Sequence, residues 1–224
     1  MSVSDDLIPV LKKLRLSGVL NTLDLRTSEA VDQNLSHAEF LFRVCSDEVQ
    51  RRDSKQLDLR MRRASFESTQ RIDDFDWSFN PGIPKAKIID LAACHFIERR
   101  EAAILIGPAG VGKSHIAQAI GERACRCGHS VCYVSAHKML AQLRASRADQ
   151  TYDRKMLRFT SPDLLIIDDL GPDGPRPFDP VVVRPMSEIT ATLGQVLVDR
   201  AAFPAFDAIV GPQQRLVPVD RDAV

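Results

Sequence analysis

One eight-residue segment constrains this chain more than any other: Gly107-Pro108-Ala109-Gly110-Val111-Gly112-Lys113-Ser114, which has the form GxxxxGK[ST]. A short apolar run, Ala102–Ile106, precedes it and reads as a buried strand. A helical pattern follows from Lys113 to about Cys127 and stops before Gly128. Strand, glycine loop and helix in that order have one physical use. The glycines let the backbone curl so that successive N–H groups point inward at phosphate oxygens, and the helix adds its N-terminal partial positive charge. Lys113 is expected to reach the β- and γ-phosphates and Ser114 to place its hydroxyl on Mg²⁺. The ligand this pattern predicts is a nucleoside triphosphate, ATP with Mg²⁺. His115 adjoins the loop on the helix and is counted with it, as a first-turn packing or surface residue.

Further along, strand and helix patterns alternate. Ser130–Ser135 reads as a strand, 136–147 and 151–159 as helices, and Asp163–Asp168 as a third strand. Alternation of this kind implies an α/β fold with a parallel sheet and right-handed crossovers. The third strand, Leu164-Leu165-Ile166-Ile167, runs into Asp168-Asp169, 55 residues after Lys113 at its first acid. A strand terminus beside the phosphate loop is where an acid organises a divalent cation. Asp168 takes that role, and Asp169 is placed to position or activate the attacking water. The catalytic set is therefore Lys113, Asp168 and Asp169, with Ser114 and Asp168 on the metal. The histidines are scattered, and no Ser–His–Asp or Cys–His arrangement is present. No second substrate site of the kind a small-molecule kinase needs is visible.

Upstream of the loop the pattern is helical. Leu7, Ile8, Leu11, Leu14, Leu16, Val19, Leu20 and Leu23 form an amphipathic stretch over 7–25 with a break expected near Gly18. Ser36 opens a second helix with Glu39 as its capping-box partner, running to about Phe66 and burying Phe40, Leu41, Val44, Leu57 and Met61. Residues 48–71 carry seven basic and four acidic side chains. Both a solvated helix face and a nucleic-acid contact fit that charge. Residues 72–83, with Phe75, Trp77 and Pro81, read as an extended linker whose Trp77 staples it to the next domain, which opens with a helix over 85–100. The expected organisation is a small all-α domain at 1–71, a linker at 72–83, a nucleotide-binding core at 84–171 and an atypical tail at 172–224.

The tail differs in composition: it holds eight of the thirteen prolines and neither Lys nor Asn. Over the whole chain, 44% of residues are hydrophobic and 27% charged, enough for a packed core, and the formal net charge is zero, so charge alone selects no partner. The five cysteines form no CxxC pair, which disfavours zinc and suits reduced thiols. The N-terminal residues have no secretory pattern, and no apolar stretch approaches the ~18–20 residues that span a bilayer. A cytoplasmic protein without a membrane partner is expected.

Three segments together resemble a known family: Gly107–His115, Leu164–Gly171 and the linker Ile72–Phe79. They are similar to the IstB-like ATPases, transposition helpers of insertion sequences related to the DnaC helicase loaders within the AAA+ superfamily. The resemblance covers about residues 7–171. It implies a P-loop NTPase sheet of AAA+ type preceded by a small all-α domain, and an ATP-dependent homo-oligomer that assembles on duplex DNA and guides a transposase. A DnaC-like loader serving a replicative helicase and a non-catalytic DNA-binding remnant are the alternatives. The arginine-rich stretch resembles the family's DNA-associated region, which Arg51, Arg52, Arg60, Arg62 and Arg63 occupy as a group. After Gly171 the family's polar sensor strand and distal arginines are not recognisable. The sheet is therefore expected to be incomplete, as in a truncated or frameshifted copy, unless a valine-rich piece at 181–183 or 196–198 fills the position between the two motif strands. Hydrolysis is expected to be impaired.

Overall fold

The computed structural model describes residues 3–78, 80–106, 110–169, 181–185 and 214–218. They divide into two compact units, 1–59 and 60–224.

The first unit is helical. Helix α1 spans Val3–Lys13, α2 Ser17–Asp32, and α3, His37–Ala64, begins here. The chain breaks between α1 and α2 at Arg15, three residues before Gly18, which lies inside α2. Arg15 adopts φ 57, Leu16 N–H donates to the Leu11 carbonyl and Arg15 N–H to that of Lys12. That is a Schellman closure without a glycine. Asn34 (φ 49) closes α2 the same way, with Leu35 N–H on the Ala30 carbonyl. The capping box of α3 is present: Glu39 N–H donates to Ser36 Oγ, and Ser36 N–H to Glu39 Oε2 at 2.9 Å. The core gathers Leu11, Val19 and Val44, with Leu16, Leu20, Leu23 and Phe40 packed against them. Leu7, Ile8, Leu14 and Leu41 lie exposed, contrary to the apolar pattern. Glu48 is buried instead, and its Oε2 accepts the Gly18 N–H at the start of α2.

The second unit is built on a five-stranded sheet in the order β2-β3-β4-β1-β5. Its strands are β1 Ala102–Ile106, β2 Val131–Ser135, β3 Leu164–Asp168, β4 Val181–Pro185 and β5 Gln214–Pro218. The helices are α4 Lys85–Ala92, α5 His95–Glu98, α6 Lys113–Arg126, α7 Ala136–Ala148 and α8 Tyr152–Thr160. The helix expected over 85–100 is two, separated at Cys94 with φ 64. Leu164, Leu165 and Ile166 of β3, Ile104 and Leu105 of β1, and Ile116 and Ile120 of α6 are almost wholly buried.

One expectation about the sheet is corrected, and one of the two outcomes left open for its central position is met. It is mixed rather than parallel: β1 pairs with β5 and β2 with β3 in parallel, while β4 runs antiparallel to both β1 and β3. The position between the motif strands is filled by β4, which contains the valine-rich piece 181–183, with Val183 paired to Ala103 on one side and Ile166 on the other. The physical reason is hydrogen-bond demand. β1 and β3 are interior strands, and each buried backbone group left unpaired costs ~1–3 kcal/mol. The other piece, 196–198, lies outside the described residues.

Candidate nucleotide site

β1 delivers the chain to the glycine loop. Gly107, Pro108 and Ala109 lie outside the described residues; Gly110 to Ser114 are described. Gly110 (φ 79) and Gly112 (φ 95) both take the left-handed conformation that side chains resist, and Gly112 caps α6. Val111 is buried, as is Lys113, the first residue of α6, at 6% exposure. Ser114 is half-buried. The N-terminus of a helix carries partial positive charge and free N–H groups. A lysine added there concentrates positive potential, which suits an anion.

β3 supplies the acid. Asp168 is its last residue and only 4% exposed. Two donors hold its carboxylate: the Tyr133 hydroxyl on Oδ2, and the Asp169 N–H on Oδ1 at 2.9 Å. Burial first, then this bond to Asp168, push the Tyr133 hydroxyl well above the ordinary phenol range, so it stays protonated and donates. Asp169 sits just beyond the strand, exposed, with φ 51.

The comparisons with known proteins fit this geometry. The model of the IstB-like ATP binding protein family matches residues 9–181. The chain belongs to that family. It is 40% identical over 172 residues to an ATP-binding protein in an insertion sequence of Mycobacterium tuberculosis, covering 76% of this chain and 68% of that one. An insertion-sequence ATP-binding protein of Geobacillus stearothermophilus is 31% identical over 142 residues, 63% of this chain and 57% of that one. One from Pseudomonas aeruginosa is 28% identical over 162 residues, 72% of this chain and 61% of that one. The match thus spans between 57% and 68% of these relatives' own lengths.

In this IstB-like chain the segment ahead of the core is not extended, and Trp77 is not alone in packing it down. Phe75 N–H donates to the Ile72 carbonyl, and Asp76 Oδ1 accepts from Ser78 N–H and Oγ. Phe75 is 8% exposed, and its ring edge lies 3.6 Å from where a Cβ on Gly112 would stand. The same ring meets His115 edge-on at 5.0 Å and Trp77 at 4.8 Å, and Lys85 Nζ lies 5.1 Å from the Trp77 ring. His115 therefore packs. Burial holds its pKa below the usual range, and its Nε2 is buried without a hydrogen-bond partner among the described residues. The sequence does not mark Phe75 for this contact; an aromatic in an acidic, turn-rich stretch is the one signal it offers.

The arginines are less uniform than their charge suggests. Arg52 Nε is paired with Glu48 at 2.7 Å, and Arg60 donates to the Cys125 carbonyl at 3.4 Å. Arg62 and Arg63 are exposed in the last turn of α3, and Arg51 is half-buried. Among the described residues no group of three His, Cys, Asp or Glu side chains is placed to hold a metal by itself, and no helix is long and apolar enough to cross a membrane.

Proposed function

We propose that this chain is a cytoplasmic, ATP- and DNA-binding helper of insertion-sequence transposition whose nucleotide hydrolysis is impaired. The carrying observation is the junction Gly112–Lys113–Ser114 at the start of α6, together with the buried Asp168 at the end of β3. In this reading residues 1–71 are the DNA-associated domain, 72–83 the linker and 84–171 the ATPase core. Arg51, Arg52, Arg60, Arg62 and Arg63 lie in the DNA-binding region. Relatives named for insertion sequences favour a transposase as client over a replicative helicase. Duplex DNA and further copies of the chain complete the assembly.

The residues fit Mg²⁺. Ser114 and Asp168 offer the hard oxygen donors that such a cation takes, and each Asp168 oxygen accepts one hydrogen bond from the described residues, a carboxylate oxygen having a further lone pair for a cation or its water. When bound, the cation supplies charge neutralisation at the phosphates. The loop N–H groups orient the triphosphate, Lys113 holds its β- and γ-oxygens, and Asp169 orients the water that attacks.

Impairment is supported by β4. A parallel strand in that position would bring its C-terminal end to the site, where the family resemblance expects a polar sensor. The antiparallel β4 instead pairs Val182 with Ile167 and Val181 with Leu105. Valine offers no hydrogen bond to a phosphate or a water. The composition change near 172 further supports replacement of the family's C-terminal part by another reading frame, which sequencing the locus tests.

The deciding experiment measures binding of a fluorescent ATP analogue and phosphate release by the purified chain, with and without duplex DNA. Mg²⁺-dependent binding that falls at least tenfold in Lys113→Ala, with release near background, is expected. No nucleotide binding refutes the site. Sustained hydrolysis abolished by Lys113→Ala refutes the impairment, and absence of DNA binding refutes the assignment of 1–71.

A further inference from the structure

We propose that Tyr133 is a positioning residue for Asp168, its hydroxyl fixing the orientation of the carboxylate with which the chain holds a nucleotide-bound divalent cation. The inference rests on the nucleotide-site reading above and names a residue outside both motifs.

The topology makes the contact possible. β2 and β3 are parallel neighbours, with Tyr133 opposite Ile166 and Ser135 opposite Asp168. Tyr133 and Asp168 are thus diagonal neighbours two residues apart along the strands. Side chains alternate with period two, so the pair shares one face of the sheet, and the diagonal is within reach of an aromatic side chain. The polar residue directly opposite Asp168 is committed elsewhere: Ser135 caps α7, its Oγ accepting the Lys138 N–H. The longer Tyr133 crosses the diagonal and donates to Oδ2.

Both partners are about 5% exposed, so the bond is made away from water. A phenol O–H on a carboxylate is a charge-assisted hydrogen bond, among the stronger kinds in a protein. With the Asp169 N–H on the other oxygen, rotation of the carboxylate is arrested from both sides. The tyrosine ring is itself held. Phe66 lies 6.1 Å from it, tilted by 51°. The segment carrying Phe66 is anchored to the phosphate-loop helix, because Ser68 N–H donates to Gln118 Oε1 at 3.0 Å and Gln118 is buried on α6. One chain of contacts therefore runs from the helix that begins at Lys113 to the acid on β3. Residues that orient a metal-organising group in this way typically change metal affinity by about 10–100-fold when removed.

Tyr133→Phe removes only the hydroxyl. The readout is the ratio of dissociation constants for a fluorescent ATP analogue in EDTA and in Mg²⁺. We expect that ratio to fall about tenfold or more in Tyr133→Phe while Mg²⁺-free affinity stays close to wild type. In an Asp168→Asn background, Tyr133→Phe should change the ratio no further. A role in packing alone would weaken both affinities together, and an unchanged ratio or a parallel loss overturns the proposal. If Tyr133→Phe does not fold, Phe66→Leu decides: a severalfold drop in the ratio supports the proposal, and an unmoved ratio overturns it. A wild-type chain that binds no nucleotide overturns the site reading and this inference together. A wild-type chain with a strong Mg²⁺ dependence that Tyr133→Phe leaves intact overturns this inference alone.

Discussion

Gly18→Ala sets two effects of known size against each other. On helix propensity alone the change is favourable, by at most ~1 kcal/mol. The structure opposes it. A Cβ at Gly18 would stand 2.8 Å from the Glu48 Cα, 2.8 Å from Glu48 Oε2 and 3.0 Å from the Asp47 carbonyl oxygen. Ordinary contacts begin near 3.4 Å, so α2 and α3 must separate locally by about 0.6 Å. A side chain could rotate away, but the Glu48 Cα belongs to the backbone of α3. Forcing a methyl into packed space of this kind costs ~1–3 kcal/mol. The separation also stretches the 2.6 Å bond from Gly18 N–H to Glu48 Oε2. That bond matters because the residue before α2, Leu16, has no side-chain cap to offer. The clash outweighs the propensity, and a net loss of about 1 kcal/mol or more is expected. Hydrogen exchange on the full chain reads it directly: peptides from 17–32 and 37–59 should open about fivefold more often. Peptides from 113–168 should not change, and Ser28→Ala on the exposed side of α2 serves as the propensity control. Slower exchange in Gly18→Ala, matching Ser28→Ala, would refute the close-approach argument.

Three other outcomes follow from the same structure. The two-pronged bond from Arg26 to Asp47, 2.8 Å at each prong, lowers the Asp47 pKa from 3.8 to about 2, so the stability it contributes is complete above about pH 4 and drains away as pH falls through 2. The urea midpoint of wild type should drop over that interval by more than that of Asp47→Asn. Cys45 and Cys127 are exposed, whereas burial pushes the Cys94 and Cys125 thiols up to about 12 and raises Cys132 as well. An aromatic disulfide reagent at pH 8 should therefore modify two thiols quickly and the other three only on unfolding; fast labelling of Cys125 would contradict the burial. Val183→Pro places a residue without an N–H in the strand between β1 and β3, and should lower the unfolding free energy of 60–224 by ~1–3 kcal/mol, read as a lower urea midpoint. An unchanged midpoint would mean that β4 does not hold that position.

What the sequence reveals of this fold depends on whether a feature is written in residue type or in backbone conformation. The glycine loop, the apolar strands and the Ser36–Glu39 box are residue-type signals, and the elements they mark stand within a residue or two of expectation. The left-handed closures divide by the same rule. Gly128 (φ 100) ends α6 where expected, but Arg15, Cys94, Arg100 and Gln150 adopt φ between 57 and 64 with side chains that give no warning. The sequence therefore points to a break near Gly18, three residues past the one at Arg15, and to a single helix over 85–100 where Cys94 divides two. Gly18 has a different use, the close approach to α3. Glu48 reads as one more charge on a solvated face, yet it is buried because its carboxylate serves a helix start 30 residues away and an arginine one turn on. Tyr133 gives no signal in the sequence for a related reason: its partner lies across a strand pair, and a diagonal cannot be read along one chain.

The strand that fills the sheet shows the limit from the other side. A run such as Val181-Val182-Val183 has apolar side chains to offer both faces, so its entry into an interior position follows from composition. Its direction does not. A strand contributes the same backbone donors and acceptors to its neighbours whichever way it runs, so filling the gap and running parallel are separate requirements. The first concerns stability, and β4 meets it by pairing on both sides. The second concerns chemistry, since only a parallel strand would end beside Gly110–Ser114 and Asp168 with its C-terminal residue. A sheet can therefore regain its hydrogen bonds without regaining the group that completes the site. Binding and turnover are separable for that reason. In the proposed reading the residues that hold nucleotide and cation belong to the glycine loop, α6 and β3, whereas the position left to β4 carries valine.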